Sequence, residues 1–262
     1  MKKSVIILGF AILMSLSASA QKSNWSFFAG YNNAVGSFAR VDVPNNDWAL
    51  ISNTSIKGGA GYGFDLGFSY RQPLGGNDKY CLVFSADFLW TNSAYSIRHN
   101  LNMTMAEVRS NFDKVNAKSP NFINVPVLAG FHYEFGIGKN AEMFVAPQIG
   151  ASFRHITDRS AEFIGATDPI MEGNNALYEY VYVDNYYNSL AFAFRLTAGF
   201  VFKEHWIVDL SYLYTGRLMV EGYEDFRFST NSDLSNPISG STSFTAGHTT
   251  PMFVTIRFGY RL

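Results

Sequence analysis

Residues 251–262 read P-M-F-V-T-I-R-F-G-Y-R-L, and their pattern decides the fold. Every second residue from Met252 is apolar: Met252, Val254, Ile256, Phe258, Tyr260 and Leu262. Phe253, Thr255, Arg257, Gly259 and Arg261 lie between them. A period of two is the mark of a strand with two unlike faces. Two arginines opposite a row of bulky apolar residues fit the wall of a transmembrane barrel, with the apolar row toward lipid and the arginines toward the lumen. As the last stretch of the chain, it is expected to close onto the first strand.

Seven earlier stretches repeat the pattern: 25–33, 59–71, 80–91, 122–135, 143–154, 190–202 and 206–217. In the second, Tyr62, Phe64, Leu66, Phe68 and Tyr70 alternate with Gly63, Asp65, Gly67 and Ser69. In the sixth, Phe192, Phe194, Leu196 and Phe200 alternate with Ala193, Arg195, Thr197 and Gly199. Each stretch is long enough to cross a bilayer when tilted. The connections at 72–79, 136–142 and 203–205 are tight and rich in glycine or charge, whereas those near 34–58, 92–121, 155–189 and 218–251 are long. Short turns at one end and long loops at the other are the layout of an outer-membrane barrel, with the short turns periplasmic.

Lys2 and Lys3 precede an apolar run from Val5 to Leu16, then Ser17-Ala18-Ser19-Ala20. This predicts a secretory leader at residues 1–20, cut after Ala20, ahead of a barrel domain at 21–262. The run is too short to span a bilayer as a helix. Without the leader, 18 Lys plus Arg face 21 Asp plus Glu, a formal charge near −3 that argues against nucleic acid as a partner. The single cysteine, Cys81, allows no internal disulfide. Aromatics make up 16% of the chain and no later segment is continuously apolar, which excludes a helical membrane protein but not a barrel.

A soluble barrel or β-sandwich would turn the apolar row inward and expose the other row to water. That other row is rich in Gly, Ala and Ser, a poor solvent face for a strand. Small residues suit the cramped lumen of a narrow barrel, and eight rows of aromatics are too bulky for it. The fold class expected is an all-β, eight-stranded, antiparallel, closed transmembrane β-barrel.

I-N-V-P-V-L-A-G-F-H-Y-E-F-G at 123–136 and M-F-V-A-P-Q-I-G-A-S-F at 143–153 carry a proline early in the fourth strand and an Ala-Pro in the fifth. Together with the F-G-Y-R-L end, they resemble the PorT-like outer-membrane β-barrels of the Bacteroidetes, Gram-negative bacteria. The resemblance spans about 24–262 and implies fold and location; it implies no catalytic residues. The long third loop and the lack of a glycine before Pro147 depart from that pattern. Pro126 and Pro147 each remove a ladder donor, so bulges are expected there.

Ranked by position along each strand, Asp65, Asp87, Arg195 and Arg257 fall near mid-height in the lumen. Arg71, Glu134, Asp209 and Arg261 fall near the periplasmic end. A lumen of eight strands is filled by side chains, so these charges are expected to pair as a structural plug; an ion path or narrow pore is the alternative. His132 and Glu134 share the lumen face at i, i+2, an arrangement open to a hydrogen-bonded histidine, an acid–base pair or metal ligation. His99, His155 and His248, with Asp158, Asp184, Ser160 or Ser243, could form a rim active site of a lipid-modifying enzyme or protease, but no nucleophile motif accompanies them.

The third and fourth long loops carry Phe163, Tyr178, Tyr180, Tyr182, Tyr186, Tyr187, Tyr223, Phe226, Phe228 and Phe244. Strands five and six are expected to extend beyond the membrane as a hairpin. The aromatics must pack on each other, on lipid headgroups or on a partner. The candidate outer binding surface is Tyr178, Tyr180, Tyr182, Tyr186, Tyr187, Tyr223, Phe226 and Phe228. The role expected is non-enzymatic, structural or surface-recognising, at the cell surface. The partners expected are outer-membrane lipid and a protein or ligand docked at the outer loops or a neighbouring membrane protein, with no nucleic acid, cofactor or metal.

Overall fold

The terminal stretch is a strand, Met252–Arg261, and it pairs with the first strand, Trp25–Ala34, from Ser26↔Arg261 to Ala34↔Phe253. The computed structural model describes residues 24–39, 59–74, 77–93, 112–166, 170–172, 175–177, 179–229 and 237–262. The predicted leader lies outside them. In chain order the strands are β1 Trp25–Ala34, β2 Ala60–Leu74, β3 Asn77–Ser93, β4 Phe112–Lys118, β5 Asn121–Gly138, β6 Ala141–Ile156, β7 Arg159–Ala166, β8 Ile170–Glu172, β9 Asn175–Leu177, β10 Glu179–Tyr186, β11 Ser189–Phe202, β12 Trp206–Tyr214, β13 Leu218–Ser229, β14 Ile238–Thr249 and β15 Met252–Arg261. Eight of them close an antiparallel barrel in the order β1-β15-β12-β11-β6-β5-β3-β2. Closure leaves no open edge among the walls, as lipid requires.

The eight periodic stretches of the sequence are these eight walls. The seventh stops earlier than expected, at Tyr214, because Gly216 takes a left-handed backbone (φ +67) and breaks the wall. No bulge accompanies either strand proline. Next to Pro126, the β3–β5 pairing lapses between Ala86↔Val127 and Leu89↔Asn124 and resumes in the same register. Beside Pro147, the β5–β6 pairing lapses between Gly130↔Gln148 and Tyr133↔Val145 and likewise resumes unshifted. Each proline faces its missing N–H to one neighbour only, so dropping a rung suffices and no extra residue is needed.

The long connections are not simply loops. β14, β13, β10, β7 and β4 form a five-stranded sheet in that order, and β8 and β9 pair as a small hairpin. The barrel walls that lead into this sheet are β15, β12, β11, β6 and β5, in the same order. Five adjacent walls therefore continue past the barrel, each across a break of two or three residues: 119–120, 157–158, 187–188, 215–217 and 250–251. Pro120, Gly216 and Pro251 lie in these breaks, where a lost donor or a left-handed residue ends the ladder. Main-chain bonds bridge them, Thr157 N to Asn121 O (2.9 Å), Tyr187 N to Glu221 O (3.0 Å) and Thr215 N to Pro251 O (3.0 Å). Arg154 braces one break from inside, its Nη1 donating to Thr215 O at 2.9 Å and its Nη2 to Arg217 O at 3.3 Å.

Candidate functional site: a filled lumen beneath an outer sheet

The outside of the wall is apolar. Phe64, Leu66, Phe84, Phe131, Leu210 and Ile256 are exposed, and Phe194 is half-buried. Leu210 and Phe258 keep 54% and 67% of their surface accessible, which in water would be a large unpaid patch. Aromatic pairs rim this belt. Trp25–Tyr70 (5.0 Å between rings), Tyr80–Tyr133 (4.8 Å) and Trp206–Tyr260 (5.1 Å) stand near the short turns. Tyr31–Tyr62 (6.0 Å) and Tyr187–Tyr223 (6.2 Å) stand at the other rim. The 9 residues of β12 from Trp206 to Tyr214 separate the girdles, about 26 Å along the strand and roughly 20 Å of height once tilted, close to the lipid-facing band of such barrels. The protein is an outer-membrane β-barrel.

The inside is charged and closed. Arg257 is the hub: its Nε and Nη2 donate to the two carboxylate oxygens of Asp209, both at 2.9 Å, and its Nη1 to Asp87 Oδ1 at 2.6 Å. Arg195 Nη1 donates to Asp87 Oδ2 at 2.6 Å. Asp65 Oδ2 lies 3.9 Å from Arg257 Nη1. The Arg257 guanidinium also sits over the Phe28 ring, 4.5 Å from its centroid. Glycines make the room. Gly30 stands opposite Arg257, Gly67 opposite Asp87 and Gly199 opposite Asp209. A Cβ on Gly67 would come within 2.1 Å of Asp87 Oδ1, and one on Gly30 within 2.7 Å of Arg257 Cγ. The small-residue row of the sequence is thus the space into which the charges reach.

Asp209 belongs to this middle group and not to the periplasmic one where its place along the strand suggested. It is the direct cross-strand partner of Arg257. Counting along single strands ignored the stagger between tilted neighbours, which levels residues of different rank. Nearer the periplasmic end, Glu134 Oε1 accepts from Arg71 Nη1 and Arg261 Nη2 and lies 2.8 Å from His132 Nε2. The His132 ring stacks on Phe144 at 4.7 Å. It is thus a hydrogen-bonded lumen histidine, and the described residues hold no cluster of His, Cys, Asp or Glu that could ligate a metal. Between the two groups a space of about 30 Å³ remains, enough for one or two waters. Above them Phe38, from the turn that follows β1, packs edge-on against Phe122 (5.0 Å) and Phe253 (5.4 Å). Leu89 and Leu213 complete this apolar cap.

The outer sheet has an aromatic face and a polar one. Rungs on the aromatic face are Phe163↔Tyr180↔Phe228, Ala161↔Tyr182↔Phe226, Arg159↔Asp184↔Glu224 and Tyr186↔Gly222↔Phe244. Phe163 and Tyr182 are buried, while Tyr180, Tyr186, Phe226, Phe228 and Phe244 are half-buried. Tyr186 and Phe244 also pack on the apolar cap of the barrel. Most of the aromatics expected to form a displayed surface are instead a second core, because a sheet standing above the membrane must bury one face. Tyr187 and Tyr223 alone of that set are exposed, and Tyr178 lies outside the described residues. The polar face carries ion pairs, Lys114–Glu162 at 2.7 Å and Arg227–Glu179.

Two of the residues proposed for a rim active site, His155 and Asp184, are otherwise engaged. His155 Nδ1 lies 2.7 Å from Asn188 Oδ1, and Arg159 Nε donates to Asp184 Oδ2 at 2.7 Å. His248 is exposed on β14, and His99 lies outside the described residues. Neither His155 nor Asp184 is therefore set as base or orienting acid toward Ser160 or Ser243.

Asp184 is fully buried, and besides Arg159 its carboxyl faces the side chains of Glu224 and Tyr186. Its cross-strand neighbour is Glu224. Burial raises both carboxyls above their ordinary range; Arg159 partly offsets this for Asp184, and Asp184 adds to it for Glu224. An acid raised on folding lends stability below its unfolded pKa and withdraws it as pH climbs through the folded value. The outer sheet is therefore expected to resist protease better in mild acid than in mild alkali, and Glu224→Gln should flatten that dependence. Equal digestion of the native sheet at both pH values would refute it.

No protein-family model matches the chain, and neither does any curated protein sequence. Among solved structures the chain is similar to Ail, the attachment invasion locus protein of Yersinia pestis, at 13% identity, with 92% of this chain and 100% of that one covered and a TM-score of 0.37. It is also similar to Neisserial surface protein A (10% identity, 91% and 94% covered, TM-score 0.39) and to OprG of Pseudomonas aeruginosa (11% identity, 92% and 97% covered, TM-score 0.38).

Proposed function

We propose that this protein is a non-enzymatic surface barrel whose filled lumen serves as a rigid base for an outer β-sheet that docks a partner. One observation carries this: five adjacent walls rise past the upper girdle in unbroken order as a sheet with its own core. The eight lumen charges, Asp65, Asp87, Arg195, Arg257, Arg71, Glu134, Asp209 and Arg261, act in this reading as struts that tie opposite walls. The leader at 1–20 supplies export, and the likeness of 123–136 and 143–153 to PorT-like barrels is in keeping with a cell-surface role. A pore is disfavoured by the apolar cap and the ion pairs that occupy the same axis.

Two measurements test this. In planar bilayers the purified barrel should give no steady single-channel steps, and a regular conductance would favour the pore. Native membranes should yield a partner with the full-length chain that is lost when 157–188 and 215–251 are replaced by tight turns. Identical partner sets from both forms would remove the outer sheet from the function.

A further inference from the structure

The outer sheet has two edges among the described residues, β4 and β14, and they differ in kind. β4 reads F-D-K-V-N-A-K. Asp113, Lys114 and Lys118 are the charges that usually blunt an edge against other strands. β14 reads I-S-G-S-T-S-F-T-A-G-H-T. Its 12 residues include no Asp, Glu, Lys, Arg or Pro, so the charges and prolines that usually blunt an edge are missing. Its one irregularity is a bulge at its barrel end, where Val220 and Glu221 pair with Gly247 and Thr245. Ser239, Ser241, Thr242, Ser243 and Thr245 are exposed. One edge of β14 is paired to β13 from Leu218↔Thr249 to Phe228↔Ile238. The other edge has no partner among the described residues.

The barrel below accounts for this opening. There the neighbour on that side is β1, which pairs with β15 as far as Ala34↔Phe253. The chain then turns inward, with Gly36 at φ +65, and buries Phe38 in the apolar cap. Among the described residues, no strand continues β1 upward into the position beside β14.

We propose that this edge of β14 receives an extended segment of a partner polypeptide, adding a strand to the outer sheet through main-chain hydrogen bonds. The proposal rests on the docking role above and names the chemistry of its partner. An unpaired strand edge presents alternating N–H and C=O groups, whose complement is another main chain. Thr242 and Phe244 share the aromatic face, while Ser239, Ser241 and Ser243 line the other. The guest strand should thus alternate apolar residues with small polar ones and need no charge. A second copy of this chain fits less well. Copies in one membrane hold β14 in the same sense, so they could meet there only in the weaker parallel arrangement.

The test uses a blocked synthetic peptide of alternating Val and Thr and the full-length barrel in detergent. The peptide should bind with no dependence on salt and slow the hydrogen exchange of the β14 amides that point away from β13. Binding should be lost in Ser241→Lys/Ser243→Lys, which gives β14 the protection of β4, and kept in Lys114→Ser/Lys118→Ser. The heat-modified gel shift should show both variants folded. The proposal is overturned if the peptide does not bind the folded wild type, or protects other amides. It is also overturned if the β14 amides that point away from β13 are already slow in the free protein, with its own segment 40–58 on the edge, or slow only as protein concentration rises, with a second copy there. Loss of the native partner on replacing the outer sheet, without peptide binding, would sink the edge and leave the docking role standing.

Discussion

Arg257→Ala lowers barrel stability by about 3–5 kcal/mol, the range for stripping one partner from a buried ionic group. The side chain faces three carboxylates: it bonds Asp87 and both oxygens of Asp209, and its Nη1 lies 3.9 Å from Asp65. Removing it leaves those acids to Arg195, which reaches Asp87. Arg217→Ala is the control, since Arg217 is exposed at a break in the wall; it should change stability by less than about 0.5 kcal/mol. Adding Asp209→Ala to Arg257→Ala should recover part of the loss, because one uncompensated carboxylate goes with it. Urea unfolding from vesicles reads all three. If Arg257→Ala unfolds with the Arg217→Ala variant, the lumen charges are solvated and the pore gains.

Leu210→Arg lowers stability by about 2–4 kcal/mol when the barrel is folded into a bilayer, the cost of an arginine on the lipid face near the midplane. Leu210 is exposed halfway along β12, between the girdle residues Trp206 and Tyr214, and its cross-strand neighbours are Ala198 and Ile256. Tyr223→Arg, also on an exposed side chain but at the upper rim, should cost no more than about 1 kcal/mol. Refolding yields into vesicles of matched thickness separate the two. Equal behaviour would mean that the belt does not face lipid.

The walls were legible because each obeys a period of two with unlike faces over a full membrane crossing. Asp65, Asp87, Arg195 and Arg257 were found from parity alone, since parity fixes which side of the wall a residue faces. Height is another matter. Asp209 was placed too low because level depends on the stagger between strands, which no single strand contains. Strands five and six do extend past the barrel as the expected hairpin, β7 paired with β10, but the remaining strands of the outer sheet were missed for a related reason. Leu218–Ser229 alternates much as the walls do, but its apolar row is interrupted by Gly222 and Glu224. Lying past the expected membrane thickness, it reads as loop from the sequence alone. Glu224 itself is an aromatic-face residue whose neighbour, Asp184, is 40 positions earlier in the chain, so the polar rung across that core has no local signature.

The shared order of walls and outer strands also fixes how the molecule bears load. Whatever grips the outer sheet pulls along its strands, and those strands run on into the barrel. Tension from outside the cell therefore falls on many ladder bonds at once, in shear, and cannot peel them open singly from one end. The weak points under such a pull are the five short breaks, and there Thr157, Tyr187 and Thr215 each donate a main-chain bond to a neighbouring strand or its break. An anchor built this way would give first at its breaks, the sheet opening there on its covalent tethers before the barrel left the membrane.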